Sequence, residues 1–222
     1  MMNDRLKKIV DYFYNELGLK VVIGAEIEFY LADIDKTEQI MTELASSNVG
    51  FIDMQREEGE RQYEIKLKHI DDPLLLAKNI EKSKKIISSI DEQANFTAVP
   101  FDKMPGSALH IQVNLFDKNG RNIFTKPNED ESIFLKYSIA GLLEMLPASL
   151  KHFISSNKDL KRYSNQYDKY SPKTISWGGN NRTVAIRLPS TTLNPESRRI
   201  EHRVPSANSN PEKVIFLSLI HI

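Results

Sequence analysis

Hydrophobic and polar residues alternate in several segments of the chain, as in β-strands that bury only one face. In the first segment Ala25, Ile27 and Phe29 alternate with Glu26 and Glu28. The same period of two predicts strands over 20–33, 60–68, 107–116, 183–188 and 198–204. A charged residue opposes a hydrophobic one in each strand, so each predicted strand has a polar face.

Helical spacing of hydrophobic residues predicts three longer elements. The first begins at a cap formed by Asn3 or Asp4 and stops at Gly18. The second begins after Asp72 and extends to about residue 94, and the third covers 132–154 with a disturbance at Pro147. Alternating strands with a few long helices predict an α+β fold, with a curved antiparallel sheet and helices packed on one side.

Composition narrows the classes of function. The 222 residues carry 30 basic and 30 acidic side chains and no cysteine. Zero net charge provides no overall field for nucleic acid or an anionic membrane, and the absence of cysteine excludes disulfides and thiolate chemistry. No hydrophobic run reaches the length of a membrane span, and the N-terminus lacks a signal-like core. We therefore expect one cytoplasmic domain with no nucleic-acid or membrane partner.

The polar faces of the predicted strands carry an unusual set of side chains. They contain Glu26-x-Glu28, Glu64, His110 and Arg199-x-Glu201-x-Arg203. Two carboxylates on one strand face lie about 7 Å apart and repel each other unless a cation lies between them. Carboxylates with one imidazole favour Mg²⁺ or Mn²⁺ over zinc, and interleaved arginines favour a phosphate or carboxylate ligand.

Each of these patterns also has a structural explanation. A Glu-x-Glu strand can be a solvated sheet face, and Arg-x-Glu-x-Arg can form cross-strand salt bridges. A single histidine can lie on the surface or in a satisfied core. Strand periodicity by itself leaves both interpretations open.

Five motifs, in order, resemble those of the glutamine synthetase catalytic domain, over about residues 21–211. They are Glu26-Ile27-Glu28-Phe29, Glu57 with Gln62-Tyr63-Glu64, Gly106-Ser107-Ala108-Leu109-His110, Asn181-Arg182 through Arg187-Leu188-Pro189, and Arg198-Arg199-Ile200-Glu201-His202-Arg203. Asn210-Pro211 follows at the family's later Asn-Pro position. The resemblance implies a single glutamine-synthetase-like catalytic domain over 1–222.

The resemblance also implies two divalent metal ions, Mg²⁺ or Mn²⁺, and ATP as co-substrate. The implied ligands of one ion are Glu28, Glu57 and Glu64, and those of the other are Glu26, His110 and Glu201. The implied catalytic arginines, which face the transferring phosphoryl group and the substrate carboxylate, are Arg182, Arg187, Arg199 and Arg203. Gly106 would lie beside the substrate amino acid, together with Arg182, Arg187 and Arg203.

The implied activity is ATP-dependent activation of a glutamate γ-carboxylate as an acyl phosphate, followed by its ligation to ammonia or a polyamine. The alternative is a decayed, non-catalytic remnant that keeps metal and ATP binding or only the fold. The chain departs from the family where a glutamate is expected before Ser171, because Tyr170 stands there and Asp168 lies two residues earlier. This departure favours a larger amine, since tyrosine is a poor base at neutral pH. Around Arg162 the match requires a two-residue shift.

The two ends of the chain also differ from the family pattern. About twenty residues precede the Glu26 strand, where the family has a small N-terminal β-grasp domain. The hydrophobic run 214–222 has the character of a truncated C-terminus and is expected to be exposed. On this interpretation the chain alone does not form the family's ring oligomer.

Overall fold

A computed structural model describes residues 2–125, 132–191 and 194–222. A seven-stranded sheet organises these residues in the order β2-β3-β1-β4-β7-β6-β5. The strands are β1 Lys20–Tyr30, β2 Phe51–Arg56, β3 Gln62–Ile70, β4 Leu109–Phe116, β5 Thr174–Gly178, β6 Val184–Arg187 and β7 Ile200–His202. The helices are α1 Met2–Asn15, α2 Thr37–Ser46, α3 Pro73–Ile90, α4 Ile133–Phe153, α5 Lys161–Ser164 and α6 Pro211–Ile220.

The sheet has the two faces that the alternation predicts. Ile27, Phe29 and Ile111 are fully buried on the hydrophobic face, where α1 and α3 pack against β1. On the other face His110 and Gln112 are also almost fully buried, at 2% and 4% exposure. The polar face of the central strands is therefore covered, which excludes the solvated-face interpretation there.

The predicted antiparallel sheet needs one correction. β5 pairs with β6 in parallel, while the other five pairings of neighbouring strands are antiparallel. The strands β2 and β5 and the helix α2 were not predicted. β2 and β5 are edge strands with largely exposed or half-buried residues, so they lack the clear alternation of the central strands.

Two predicted helix boundaries also shift. α1 already includes Met2, so Asp4 lies in its first turn and does not cap it. α3 ends at Ile90, four residues before the predicted end. The carboxylate of Asp91 accepts hydrogen bonds from the backbone N–H groups of Ala32, Asp33 and Gln93, and these bonds fix the chain in a non-helical turn.

α4 continues without a break through Pro147, so the predicted disturbance does not end the helix. By length and composition alone α4 could cross a membrane. It contacts α6, β5 and β6, and it buries Leu135, Ile139 and Leu142. These contacts are those of a core helix.

The expectation of an exposed hydrophobic C-terminus is wrong. The segment forms α6, whose N-cap Asn210 accepts a hydrogen bond from the backbone N–H of Lys213. Val214, Ile215 and Leu219 are fully buried, and α6 contacts α1, α3, α4 and β4. A helix that is hydrophobic on most sides is covered on most sides, so the run 214–222 completes the core.

We predict that Ile215→Ala lowers the free energy of unfolding by about 2–4 kcal/mol, because it removes buried methylene groups and leaves a cavity. Ile220→Ala in the same helix serves as the control, because Ile220 is 45% exposed and should cost less than about 1 kcal/mol. Urea unfolding followed by circular dichroism measures both. Equal losses would contradict the burial of α6.

Candidate active site

A cavity of about 460 Å³ lies against the polar face of the sheet. Acidic side chains, an imidazole and cationic side chains line the same space. The acidic and imidazole residues are Glu26, Glu28, Glu57, Glu58, Glu64 and His110, and the cationic residues are Arg56, Lys66, Arg182, Arg187, Arg199 and Arg203. With the exception of Glu201, the predicted metal and arginine residues therefore share one cavity.

Strand register brings the acidic side chains and the imidazole together. Glu26 of β1 lies opposite His110 of β4, and Glu28 of β1 lies opposite Glu64 of β3. His110 Nδ1 is 3.3 Å from Glu26 Oε2 and 3.7 Å from Glu64 Oε2, and His110 Nε2 is 3.7 Å from Glu28 Oε1. Potential ligand atoms of Glu26, Glu64 and His110 all lie within 4.8 Å of one another, which is close enough for one metal ion to bind all three.

Burial and like charge make this group electrostatically unfavourable. Burial is the main cause that raises the pKa of Glu28 to about 8, and the neighbouring Glu57 adds to the shift. Burial, followed by the carboxylates of Glu26 and Glu28, raises the pKa of Glu64 well above its usual range. Burial, followed by the charge of Arg203, lowers the pKa of His110 well below its usual range. The imidazole is therefore neutral and does not compensate the carboxylates.

The cationic part of the cavity is organised around Glu201, which is fully buried. Glu201 Oε2 accepts a hydrogen bond of 2.6 Å from Arg187 Nη1, and Glu201 Oε1 accepts one from Arg203 Nη1. The structure does not place Glu201 within the group formed by Glu26, Glu64 and His110. Its role as a metal ligand stays a prediction.

The other two arginines have freer surroundings. Arg182 is exposed and stacks on the ring of Tyr170, with its guanidinium carbon 5.6 Å from the ring centroid. Arg199 is half-buried and donates from Nε to Gln112 Oε1 at 2.8 Å. Arg182 thus presents its charge to the cavity most openly.

Gly106 lies in a second, smaller pocket beside Glu28 and His110. Its N–H donates to Asp168 Oδ2 at 3.0 Å, and its carbonyl accepts from Gln62 Nε2 at 2.8 Å. A side chain at this position would approach the Ala98 carbonyl oxygen to 2.5 Å, so the loop requires glycine.

Arg162 reaches the same pocket from α5. It is 2% exposed and donates from Nη1 to the Val204 carbonyl at 2.8 Å and from Nη2 to the Arg203 carbonyl at 3.1 Å. These bonds fix the chain after β7, which carries Arg203.

The catalytic-domain model of glutamine synthetase matches residues 34–215. The chain belongs to the glutamine synthetase family. The γ-glutamylputrescine synthetase of Escherichia coli is 30% identical over 198 residues, which cover 86% of this chain and 40% of that protein. The glutamine synthetase of Pyrococcus horikoshii is 33% identical over 223 aligned residues, covering 88% of this chain and 49% of the relative. The chain thus spans about half the length of the relatives that it matches.

Solved structures confirm the glutamine synthetase fold. The cryo-EM structure of Plasmodium falciparum glutamine synthetase superposes with a TM-score of 0.85 at 21% identity, over 99% of this chain and 55% of that one. A crystal structure described as a novel glutamine synthase homologue gives a TM-score of 0.82 at 18% identity, over 99% and 57%. The predicted α+β class is confirmed.

The residues present fit the divalent metal ions that this family uses. If the proton of neutral His110 lies on Nδ1, which faces Glu26, then the Nε2 lone pair faces Glu28. Nε2 is buried and has no hydrogen-bond partner among the described residues. A lone pair and a carboxylate that face each other require a proton or a cation between them, and carboxylate oxygens with one imidazole suit Mg²⁺ or Mn²⁺.

Sequence reasoning missed several residues of the cavity. Arg56 and Lys66 add positive charge, and Glu58 lines the cavity beside the predicted residues. Lys66 could have been found, because it follows Glu64 on the same strand face. Arg56 lies on β2, which was not predicted, so no sequence signal pointed to it.

We predict that the metal-free protein becomes less stable as the pH rises from about 4.5 to about 8. The folded protein binds the Glu28 proton more tightly than the unfolded chain does, so this contribution is full below pH 4.5 and is lost as Glu28 ionises. Glu28→Gln should therefore gain about 2 kcal/mol over the wild type at pH 8 in EDTA, relative to pH 5. Thermal unfolding against pH measures this.

The control is Glu38→Gln, because Glu38 is exposed on α2 and away from the cavity. It should change stability equally at both pH values. A pH dependence in Glu28→Gln that matches that of the wild type would contradict the assignment to Glu28.

Proposed function

We propose that this chain is the catalytic part of an ATP-dependent ligase that joins the γ-carboxylate of glutamate to ammonia or an amine. One observation carries the proposal: buried carboxylates that need cations and arginines that need anions line a single cavity. Family membership supports it, because relatives are named glutamine synthetase and γ-glutamylputrescine synthetase.

In this proposal Glu28, Glu57 and Glu64 hold one Mg²⁺ or Mn²⁺ ion, and Glu26 and His110 hold a second. Glu201 joins the second site only if it exchanges a bond with Arg187 or Arg203 for the ion. When held by these residues, the ions would supply positive charge that neutralises the nucleotide phosphates during phosphoryl transfer.

The arginines divide into two groups by their contacts. Arg187 and Arg203 position Glu201 and one another, and they define the cationic wall of the cavity. Arg182 and Arg199 have donors left for a ligand, so we assign them to the transferring phosphoryl group. Gly106 leaves room for the substrate amino acid beside its loop.

The proposed ligation has two steps. A γ-carboxylate oxygen attacks the terminal phosphorus of ATP, and ADP leaves to give an acyl phosphate. The amine nitrogen then attacks the acyl carbon, phosphate leaves, and the nitrogen loses a proton. The chain supplies position and charge complementarity throughout.

Asp168 bears on the choice of amine. Its carboxylate accepts hydrogen bonds from the backbone N–H groups of Gly106, Tyr170 and Ser171, so it has little capacity left to accept an ammonium proton. Tyr170 stands where the family has glutamate. We therefore favour a larger primary amine, which the similarity to a γ-glutamylputrescine synthetase also supports.

We predict that Arg182→Gln weakens binding of ATP with Mg²⁺ by about tenfold, because it removes a charge-assisted contact to phosphate. Isothermal titration calorimetry measures the affinity. Arg182 is exposed, so the melting temperature should not change. Arg121→Gln, which removes an exposed arginine outside the cavity, should leave ATP binding as it is.

Turnover separates the two functional hypotheses. With ATP, Mg²⁺, glutamate and either putrescine or hydroxylamine, the ligase releases phosphate and forms a γ-glutamyl product, which mass spectrometry detects. ATP binding without product would favour the non-catalytic remnant. Absence of both ATP and metal binding would contradict the proposed function.

A further inference from the structure

Gln112 lies at the boundary between the acidic and cationic parts of the cavity. It is on β4, two residues after His110, and therefore on the same face of the sheet. Its cross-strand neighbours are Gly24 on β1 and Glu201 on β7. At 4% exposure, Gln112 is buried where the carboxylates of β1 approach the arginines on either side of β7.

The two ends of the Gln112 amide bind opposite charges. Its Nε2 donates to Glu26 Oε1 at 2.8 Å, and its Oε1 accepts from Arg199 Nε at 2.8 Å. A carboxylate can only accept hydrogen bonds and a guanidinium can only donate them. Rotation of the amide by 180° would therefore lose both bonds, because its NH₂ group would face Arg199 and its oxygen would face Glu26. The amide therefore has a single favourable orientation.

The surrounding residues hold the amide in place. Gly24 has no side chain, and the ring of His69 fills the space above it, where a methyl group would lie 2.8 Å from the ring. Arg199 is held at its other end by a bond of 3.4 Å from Nη1 to the Ser197 carbonyl. Gln112 thus cannot relax toward Gly24, and Arg199 is fixed from two directions.

We propose that Gln112 is a positioning residue that links Glu26 to Arg199, so that the metal-binding and phosphate-binding parts of the cavity keep one fixed geometry. The role assigned to Gln112 rests on the proposed function, because that function supplies the metal and phosphate sites. The hydrogen bonds of Gln112 to Glu26 and Arg199 are contacts within this chain and do not depend on it. The consequence of these bonds is that the hydrogen-bonded path from Arg199 to Glu26 passes through Gln112, in addition to the direct attraction between the two charges.

The test compares one substitution in two backgrounds. Arg199→Lys keeps the positive charge but removes the Nε donor, so a direct electrostatic effect on a metal ion stays nearly constant. The affinity for Mn²⁺ alone is measured from the electron paramagnetic resonance signal of free Mn²⁺. We expect Arg199→Lys to weaken Mn²⁺ binding about fivefold in the wild type, and less than twofold when Gln112→Met is also present.

The control is Asn114→Leu. Asn114 lies on the same face of β4 and is similarly buried, but its amide donates to the Arg198 carbonyl and contacts neither Glu26 nor the Arg199 side chain. In this background Arg199→Lys should keep its full effect. Equal effects of Arg199→Lys in the wild type and with Gln112→Met would overturn the proposal.

A second readout needs no metal. Urea midpoints of Glu26→Gln, Arg199→Lys and the double variant should be non-additive in the wild type and additive with Gln112→Met. Additive midpoints in both backgrounds would overturn the link.

If the wild type binds no Mn²⁺, the proposed function fails while the urea cycle still decides the role of Gln112. If Gln112→Met does not fold, Gln112→Asn replaces it, because the shorter amide cannot span both partners.

Discussion

The burial of charge on one face of the sheet is the constraint on which the rest of the site depends. Glu28, Glu64 and Glu201 are ionisable groups on three strands of the sheet, β1, β3 and β7, and each is wholly or largely removed from water. Glu201 is compensated by two arginines, whereas Glu64 has a single lysine, with Lys66 Nζ 3.6 Å from Glu64 Oε1, and Glu28 approaches a neutral imidazole and other carboxylates. The same sheet thus contains a fully paired part and a part with fewer cations than carboxylates, and only the second part calls for an added cation.

Because buried charge destabilises the fold, the opposite face of the sheet must be stabilised by hydrophobic packing. The strand β1, which carries Glu26 and Glu28, and the strand β4, which carries His110, are central in the sheet and are buried on both faces. On the hydrophobic face they are covered by α1, α3 and α6. α6 matters here because it contacts α1, α3 and α4 together, and so joins the layer that supports β1 and β4. The hydrophobic face, which stabilises the fold, and the charged face, which destabilises it, belong to the same strands. The packing of the hydrophobic face therefore fixes the positions of the side chains that would bind metal.

Much of this arrangement could be predicted from the sequence because strands have a simple period. Alternation alone placed Glu26, Glu28 and His110 on one face, and antiparallel pairing then makes Glu26 and His110 neighbours. Family resemblance added Glu57, which lies between β2 and β3 and has no periodic signal.

Other features could not be predicted, because they depend on tertiary contacts. The partners of Glu201 come from β6 and from the residue after β7, so they depend on how these segments meet in the folded chain. Residues 214–222 are buried by helices that are distant in sequence. The hydrophobic run alone therefore led to the wrong prediction that this segment is exposed.

The loops around the cavity are held together by hydrogen bonds between side chains and backbone groups. Gln62 accepts from the backbone N–H of Gly59 and donates to the carbonyl of Gly106, and Asp168 accepts from the N–H of the same glycine. The turn before β3, the Gly106 loop and the segment before β5 are thereby tied to one another. These bonds hold the loops in place with residues that do not line the larger cavity. The charged side chains that face the cavity then remain available for a ligand, which is the division of roles that a charge-stabilised reaction requires.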